Sequence, residues 1–244
     1  MKAMQQYLEQ VKGLVEAVAD TQAQAMEQAA DAVAKALMDG GMVYTFGTGH
    51  SHILAEEIFY RAGGLAKVYP ILDAPLMLHT AAARSSEMER LSGYAKLLLD
   101  DCRNIRQGDI LFLFSNSGRN TVAIEMAEEA RKRGMVTVCI TNLTHSKSVT
   151  SRHPSGLRLF EACDIVIDNL GAVGDACVNI RDVVCGPTST AIGAMIMQAI
   201  VCAAVEKVYE LGGTPEVFLS GNIDGGDEYN HRYIERYSPL IKML

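Results

Sequence analysis

The chain has 244 residues, 49% of them hydrophobic, and a formal net charge of −7. That length suits one large domain with a sizeable core. The acidic balance excludes a nucleic-acid surface, which wants a basic stripe, so any phosphate must be held locally.

In chain order, Tyr7, Leu8, Val11, Leu14, Val15 and Val18 recur at helical spacing, and Met26, Ala29, Ala30, Val33 and Leu37 continue the pattern. One or two helices are therefore expected over residues 2–38, stopped by Gly40-Gly41. Lys and Glu scattered through residues 1–19 argue against a signal peptide. A strand over 42–46 follows, then a helix over 51–62 closed by Gly63-Gly64, then a strand over 67–72. Residues 76–106 read as helix and loop, with a short helix over 94–99. The apolar run Ile110 to Phe114 reads as a strand buried on both faces, and residues 120–133 as a helix closed by Gly134. Residues 136–141 are strand-like, rich in β-branched side chains.

Residues 142–157 read as a long polar loop carrying His145 and His153, and long loops inside compact domains are often functional. A strand over 164–168, a Gly-rich loop over 169–178 and a last strand over 181–185 come next. Pro187-Thr188-Ser189-Thr190 opens a long helix ending near 211. Its apolar run, 191–205, is short for a bilayer and is interrupted by Gln198, so a buried helix is expected. Gly225-Gly226-Asp227-Glu228 starts a final helix through Tyr237. The six cysteines form no Cys-x-x-Cys pair, and several sit in apolar runs such as Val138-Cys139-Ile140, as expected of buried thiols in a reducing cytoplasm. With no repeat or linker, the chain reads as a single domain. Residues 1–40 are N-terminal helix, 41–211 an α/β core and 212–244 a tail. Strands alternating with helices predict a mostly parallel sheet with helices on both faces.

Two strand-to-helix turns carry the polar chemistry. One is Gly47-Thr48-Gly49-His50-Ser51-His52, and the other is Ser115-Asn116-Ser117-Gly118-Arg119-Asn120-Thr121. Small hydroxyl and glycine residues before a helix N-terminus make an anion site, because free N–H groups and the positive dipole end face the ligand. An ordinary N-cap is the alternative for a lone turn; two such turns in one sheet can converge on one small anion. The first turn is not a dinucleotide fingerprint, since His52 stands where the third glycine belongs, and no Gly-Lys-Ser/Thr marks a Walker A loop. Arg119 either reaches the anion bidentately or points to solvent.

Gly-x-Gly-x-Ser (Gly47, Gly49, Ser51), Ser-x-Ser-Gly (Ser115, Ser117, Gly118) and the Ser189-Thr190 pair opening an apolar helix resemble the sugar isomerase (SIS) family of phosphosugar-binding domains. Gly-His-Ser-His, Ser-Asn-Ser-Gly-Arg-Asn and the tail Asp224 to Asn230 look most like its UPF0309 subgroup, with phosphoheptose isomerases more distant. The resemblance implies a flavodoxin-like three-layer sandwich with a five-stranded sheet, an anionic sugar ligand such as a sugar phosphate, and a homodimer or tetramer. Binding would involve Gly47, Gly49, His50, Ser51, Ser115, Asn116, Ser117, Gly118, Asn120, Thr121, Ser189 and Thr190. The family usually has Ser or Thr where Asn120 stands; Asn still caps the helix.

Aldose–ketose isomerisation needs a carboxylate or His base beside the carbon that loses a proton. Glu56 and Glu57 are adjacent, so only one faces a pocket, and helix-dipole stabilisation is the plain alternative for the pair. The Ala-Glu-Glu of phosphoheptose isomerases favours Glu57. His153 or His52 would shuttle the hydroxyl proton; His50, His79, His231, Asp175 and Asp182 are weaker candidates. His52 and Glu56, at i and i+4, share a helix face, but two ligands do not make a metal site and no His-Glu-x-x-His is present. No cofactor, nucleic acid or membrane partner is expected. The two functional readings are an isomerase and a non-catalytic phosphosugar sensor.

Overall fold

The computed structural model describes residues 2–102 and 104–244. Met1 and Arg103, which fall within the helical readings of 1–40 and 76–106, lie outside the described residues. Helix α1 (Lys2–Met38) is one continuous helix where one or two were expected. No proline interrupts it, and Thr21 Oγ1 donates to the Ala17 carbonyl at 2.7 Å, satisfying its hydroxyl within the helix.

Strand β1 (Val43–Gly47) leads through a 3-10 turn, Gly49–Ser51, into α2 (His52–Glu57). This helix is shorter than the expected 51–62, and Tyr60 just beyond it has φ +43°. Strand β2 (Val68–Ile71) precedes α3 (Leu78–Met88), kinked at Ala81, and α4 (Tyr94–Asp101). Then come β3 (Ile110–Phe114), α5 (Thr121–Lys132) and β4 (Val136–Thr141). The expected loop over 142–157 begins as a short helix, α6 (Leu143–Ser148), because Asn142 Oδ1 accepts the His145 N–H at 2.7 Å and caps it. Helix α7 (Leu159–Ala162) and β5 (Ile165–Asp168) follow. The expected last strand over 181–185 is instead one arm of a hairpin, β6 (Ala176–Ile180) with β7 (Val183–Pro187), antiparallel and separate from the main sheet, and β6 begins inside the expected loop over 169–178. Its two-residue turn, Arg181-Asp182, gives the reversal, with Arg181 at φ +56°. Helices α8 (Ser189–Glu210) and α9 (Gly226–Tyr237) complete the chain.

The main sheet is five-stranded in the order β2-β1-β3-β4-β5, and every pairing is parallel. Alternate strand residues point to opposite faces. Tyr44, Phe46, Leu111, Leu113 and Cys139 pack toward α4, α5, α7 and α9. Val43, Phe112, Phe114, Val138 and Ile140 pack toward α1, α2 and α8. The result is a three-layer α/β sandwich with sheet in the middle. Helix α8 is long and apolar enough, by length and composition, to cross a membrane. In this fold its Ile192, Ile196, Met197, Ile200, Val201 and Ala204 are buried in the layer shared with α1.

The connection from β1 to β2 runs over one face through α2, and that from β2 to β3 returns over the other through α4. Winding therefore reverses between β1 and β3, and in open parallel sheets the crevice outside the carboxyl ends at that point is where ligands bind.

Candidate functional site

Gly47 and Phe114 are paired in register at the carboxyl ends of β1 and β3. The two Ser-bearing turns therefore leave the sheet side by side at the point where the winding reverses. The first turn folds back so tightly that a Cβ on Gly47 would collide with the Ser51 carbonyl, so only glycine fits. His50 is exposed and Ser51 half-buried. His52 is buried; its Nδ1 is hydrogen-bonded to the Gly49 carbonyl and its ring stands edge-on to that of His79, 6.4 Å away. That bond engages the same side chain that shares a helix face with the exposed Glu56. Among the described residues no group of three or more His, Cys, Asp and Glu could hold a metal. Glu57 is half-buried, in an ion pair with Arg61, and accepts from Gln198 Nε2 at 3.3 Å.

The second turn is braced from below. Gly118 N donates to Ser115 Oγ at 3.2 Å, and Thr141 Oγ1 donates to the Ser115 carbonyl at 2.7 Å. Asn116 Oδ1 accepts from Asn169 Nδ2 at 2.8 Å, and Asn142 Nδ2 donates to Asn169 Oδ1 at 3.3 Å. These three amides tie the turn to the carboxyl ends of β4 and β5, so Asn116 acts as a brace. Gly118 has φ +57°, and a Cβ there would lie 2.9 Å from Ser146 Oγ, so both backbone and space call for glycine. Asn120 occupies the cap position of α5 in an extended conformation, but its Oδ1 accepts from Arg152 Nη1 at 2.6 Å and makes no cap bond. Thr121 Oγ1 donates to the Arg152 carbonyl at 3.2 Å.

The remaining candidates are placed less centrally. Ser189 Oγ donates to Asp175 Oδ2 at 2.6 Å, and the N–H groups of Thr188 and Ser189 donate to Asp175 Oδ1 at 3.0 and 2.8 Å. A carboxylate of the chain itself thus fills the anion position at the start of α8, and Thr190 is half-buried one residue on. Asp175 reaches that place at φ +76°, a left-handed conformation that Asp tolerates better than most residues. His153 lies near the first turn of α5. Its Nδ1 is 2.7 Å from Ser155 Oγ and its Nε2 is 3.9 Å from Glu125 Oε1.

Three residues that the sequence did not single out stand at this corner. Thr48 Oγ1 donates to Glu89 Oε2 at 2.7 Å, and Val122 N in the first turn of α5 donates to the Glu89 carbonyl at 3.1 Å. The end of α3 is thereby drawn over both turns. Arg90, Arg119 and Arg152 sit close enough that burial, then Arg119, then Arg90 push the Arg152 guanidinium below its ordinary pKa, with Glu89 opposing. Glu89, Arg90 and Arg152 lie in stretches without periodic or motif signal, and only the fold brings them to the turns.

Residues 6–142 match the model of the SIS domain family. The chain belongs to that family. Within it, the chain is similar to the UPF0309 proteins: one from Geobacillus thermodenitrificans is 45% identical over 98% of this chain and 96% of its own length. Among solved structures, this SIS domain shares its fold with a phosphoheptose isomerase from Francisella tularensis. The TM-score is 0.56 at 17% identity, over 83% of this chain and 96% of that one. It also resembles the Vibrio vulnificus NanR protein, solved in complex with ManNAc-6P, at a TM-score of 0.51 and 17% identity over 96% of this chain and 68% of that one.

Proposed function

We propose that this SIS protein binds a sugar phosphate at the junction of its two Ser-bearing turns and interconverts aldose and ketose forms of it. The observation that carries the reading is the pairing of Gly47 with Phe114, because it sets both turns beside one another where open parallel sheets bind ligands. The phosphate is seated at Ser115, Ser117 and the N-terminus of α5, with Ser51 reaching it from the neighbouring turn. Hydroxyls, backbone N–H groups and the helix dipole suffice to hold such a group. The ManNAc-6P bound by NanR and the isomerase activity named for the Francisella protein support the ligand class.

Glu57 is the proposed base for the proton next to the sugar carbonyl. Arg61 and Gln198 keep its carboxylate oriented at the end of α2. His52 and His153 are the proposed carriers of the hydroxyl proton. The test is incubation with aldose and ketose phosphates in deuterated water. Deuterium is expected at C1 or C2 of the sugar, and Glu57→Gln is expected to abolish its entry while binding persists. A sensor without catalysis is the second reading, favoured by the likeness to NanR. Binding with no exchange across a broad panel of sugar phosphates would establish it in place of the enzyme.

A further inference from the structure

We propose that Arg90, Arg119 and Arg152 form a second anion subsite beside the Ser115–Asn120 turn, and that the ligand is a sugar phosphate bearing a second anionic group. This rests on the reading of the serine turn as the phosphate seat.

The three guanidinium groups come from separate segments: the end of α3, the turn itself, and the connection between α6 and α7. Hydrogen bonds draw these segments together. Arg152 N donates to the Arg119 carbonyl at 2.8 Å, Arg152 Nη1 to Asn120 Oδ1 at 2.6 Å, and Val122 N to the Glu89 carbonyl at 3.1 Å. Arg119 Nη2 reaches Thr150 Oγ1 at 3.3 Å, while its Nε is buried and has no hydrogen-bond partner among the described residues.

Elsewhere among the described residues Arg61, Arg131, Arg133, Arg158 and Arg236 each meet a carboxylate, while Arg84, Arg106, Arg181 and Arg232 do not. Among the described residues, none of Arg90, Arg119 and Arg152 is in such an ion pair. Like charges gathered at the positive end of a helix repel one another, and arginine does not shed its proton to relieve the strain. An anion relieves it, and guanidinium forks suit carboxylate and phosphate alike.

The chain marks the place for that anion. The Glu89 carboxylate faces this corner, held by the neutral Thr48 hydroxyl and not by an arginine. Glu89 acts on Arg152 in the free protein only through its field, without pairing to it, and a ligand carboxylate or second phosphate supplies the direct partner on binding.

Calorimetry at fixed ionic strength with glucose 6-phosphate, 6-phosphogluconate and fructose 1,6-bisphosphate tests this. A doubly anionic sugar is expected to bind at least about tenfold more tightly than glucose 6-phosphate. Whichever of the two does so identifies the second group as carboxylate or phosphate. Arg90→Gln and Arg119→Gln should each remove most of that advantage while changing glucose 6-phosphate binding little. Glu89→Gln should widen it, a gain that damage to the fold would not produce. Equal affinity for all three sugars, or arginine variants that weaken all three in the same ratio, would overturn the second subsite and leave the serine seat standing. If none of the three binds, the serine seat itself fails, and the second subsite with it.

Discussion

Two serines and a glycine set the chemistry of the second turn. Ser115 has a double role: its hydroxyl accepts the Gly118 N–H, and its carbonyl is held by Thr141. Ser117 sits half-buried between them with the helix N-terminus ahead of it. In the proposed seat, Ser117→Ala removes one hydrogen bond to a charged group and should weaken sugar-phosphate binding by roughly 1–2 kcal/mol. The Ser115/Ser117 double alanine variant should lose more, and unchanged affinity in that variant by calorimetry would remove the seat from this turn. The neighbouring Asn116 carries an equally polar side chain, yet its oxygen is taken by Asn169, so residue type alone does not separate ligand groups from braces.

At the level of elements, the starts of α5 and α8 look alike in the sequence, each opened by small polar residues before an apolar run. They differ in what meets them. Asp175 supplies a carboxylate to the Thr188 and Ser189 N–H groups and to the Ser189 hydroxyl, so the start of α8 already has its anion. Asp175→Ala should therefore destabilise the protein by about 1–2 kcal/mol through loss of a cap and of charge–dipole attraction. Asp175→Asn should lose less, since an acceptor remains. Urea unfolding reads both, and an unchanged midpoint in the alanine variant would show that the cap is not stabilising. At α5 the corresponding polar residue, Asn120, points its oxygen at Arg152.

Across the whole molecule, α1 is out of proportion to the sheet it covers. Its 37 residues make a helix of about 55 Å, whereas strands of four to six residues span roughly 13–20 Å. Val18 and the 29–36 stretch supply its buried residues, while Met4, Leu8 and Val15 in its first half are exposed. Near its start, Tyr7 donates to the Pro187 carbonyl at 2.9 Å, next to a hairpin that exposes Ile180, Val183 and Val184. Exposed apolar surface on neighbouring elements often marks an interface, and oligomers most often close it with a two-fold copy. We expect a dimer or larger assembly that uses the first half of α1 and the hairpin. Sedimentation at micromolar concentration should give a mass at least twice 26.4 kDa, and Leu8→Glu with Val183→Glu should lower it. A wild-type monomer would contradict this.

The sequence by itself determined the alternation of strands and helices, the limits of α5 and α8 to within a residue or so, the final helix and both Ser-bearing turns. Those features depend on local periodicity, stop signals and turn chemistry, which act over a few residues. It did not separate one N-terminal helix from two, because Thr21 can satisfy its hydroxyl within a helix as easily as outside one. It did not show the β6–β7 hairpin: residues 176–178 read as loop and 181–185 as a sheet strand, and only pairing partners tell a hairpin arm from a sheet strand. Tertiary structure alone decided that Gly47 lies opposite Phe114, that Glu89, Arg90 and Arg152 join Arg119 at the mouth of the second turn, and that Asp175 occupies the start of α8. Each of these depends on strand order and on contacts across many tens of residues or a folded-back loop. Distances of that kind leave no period in a sequence.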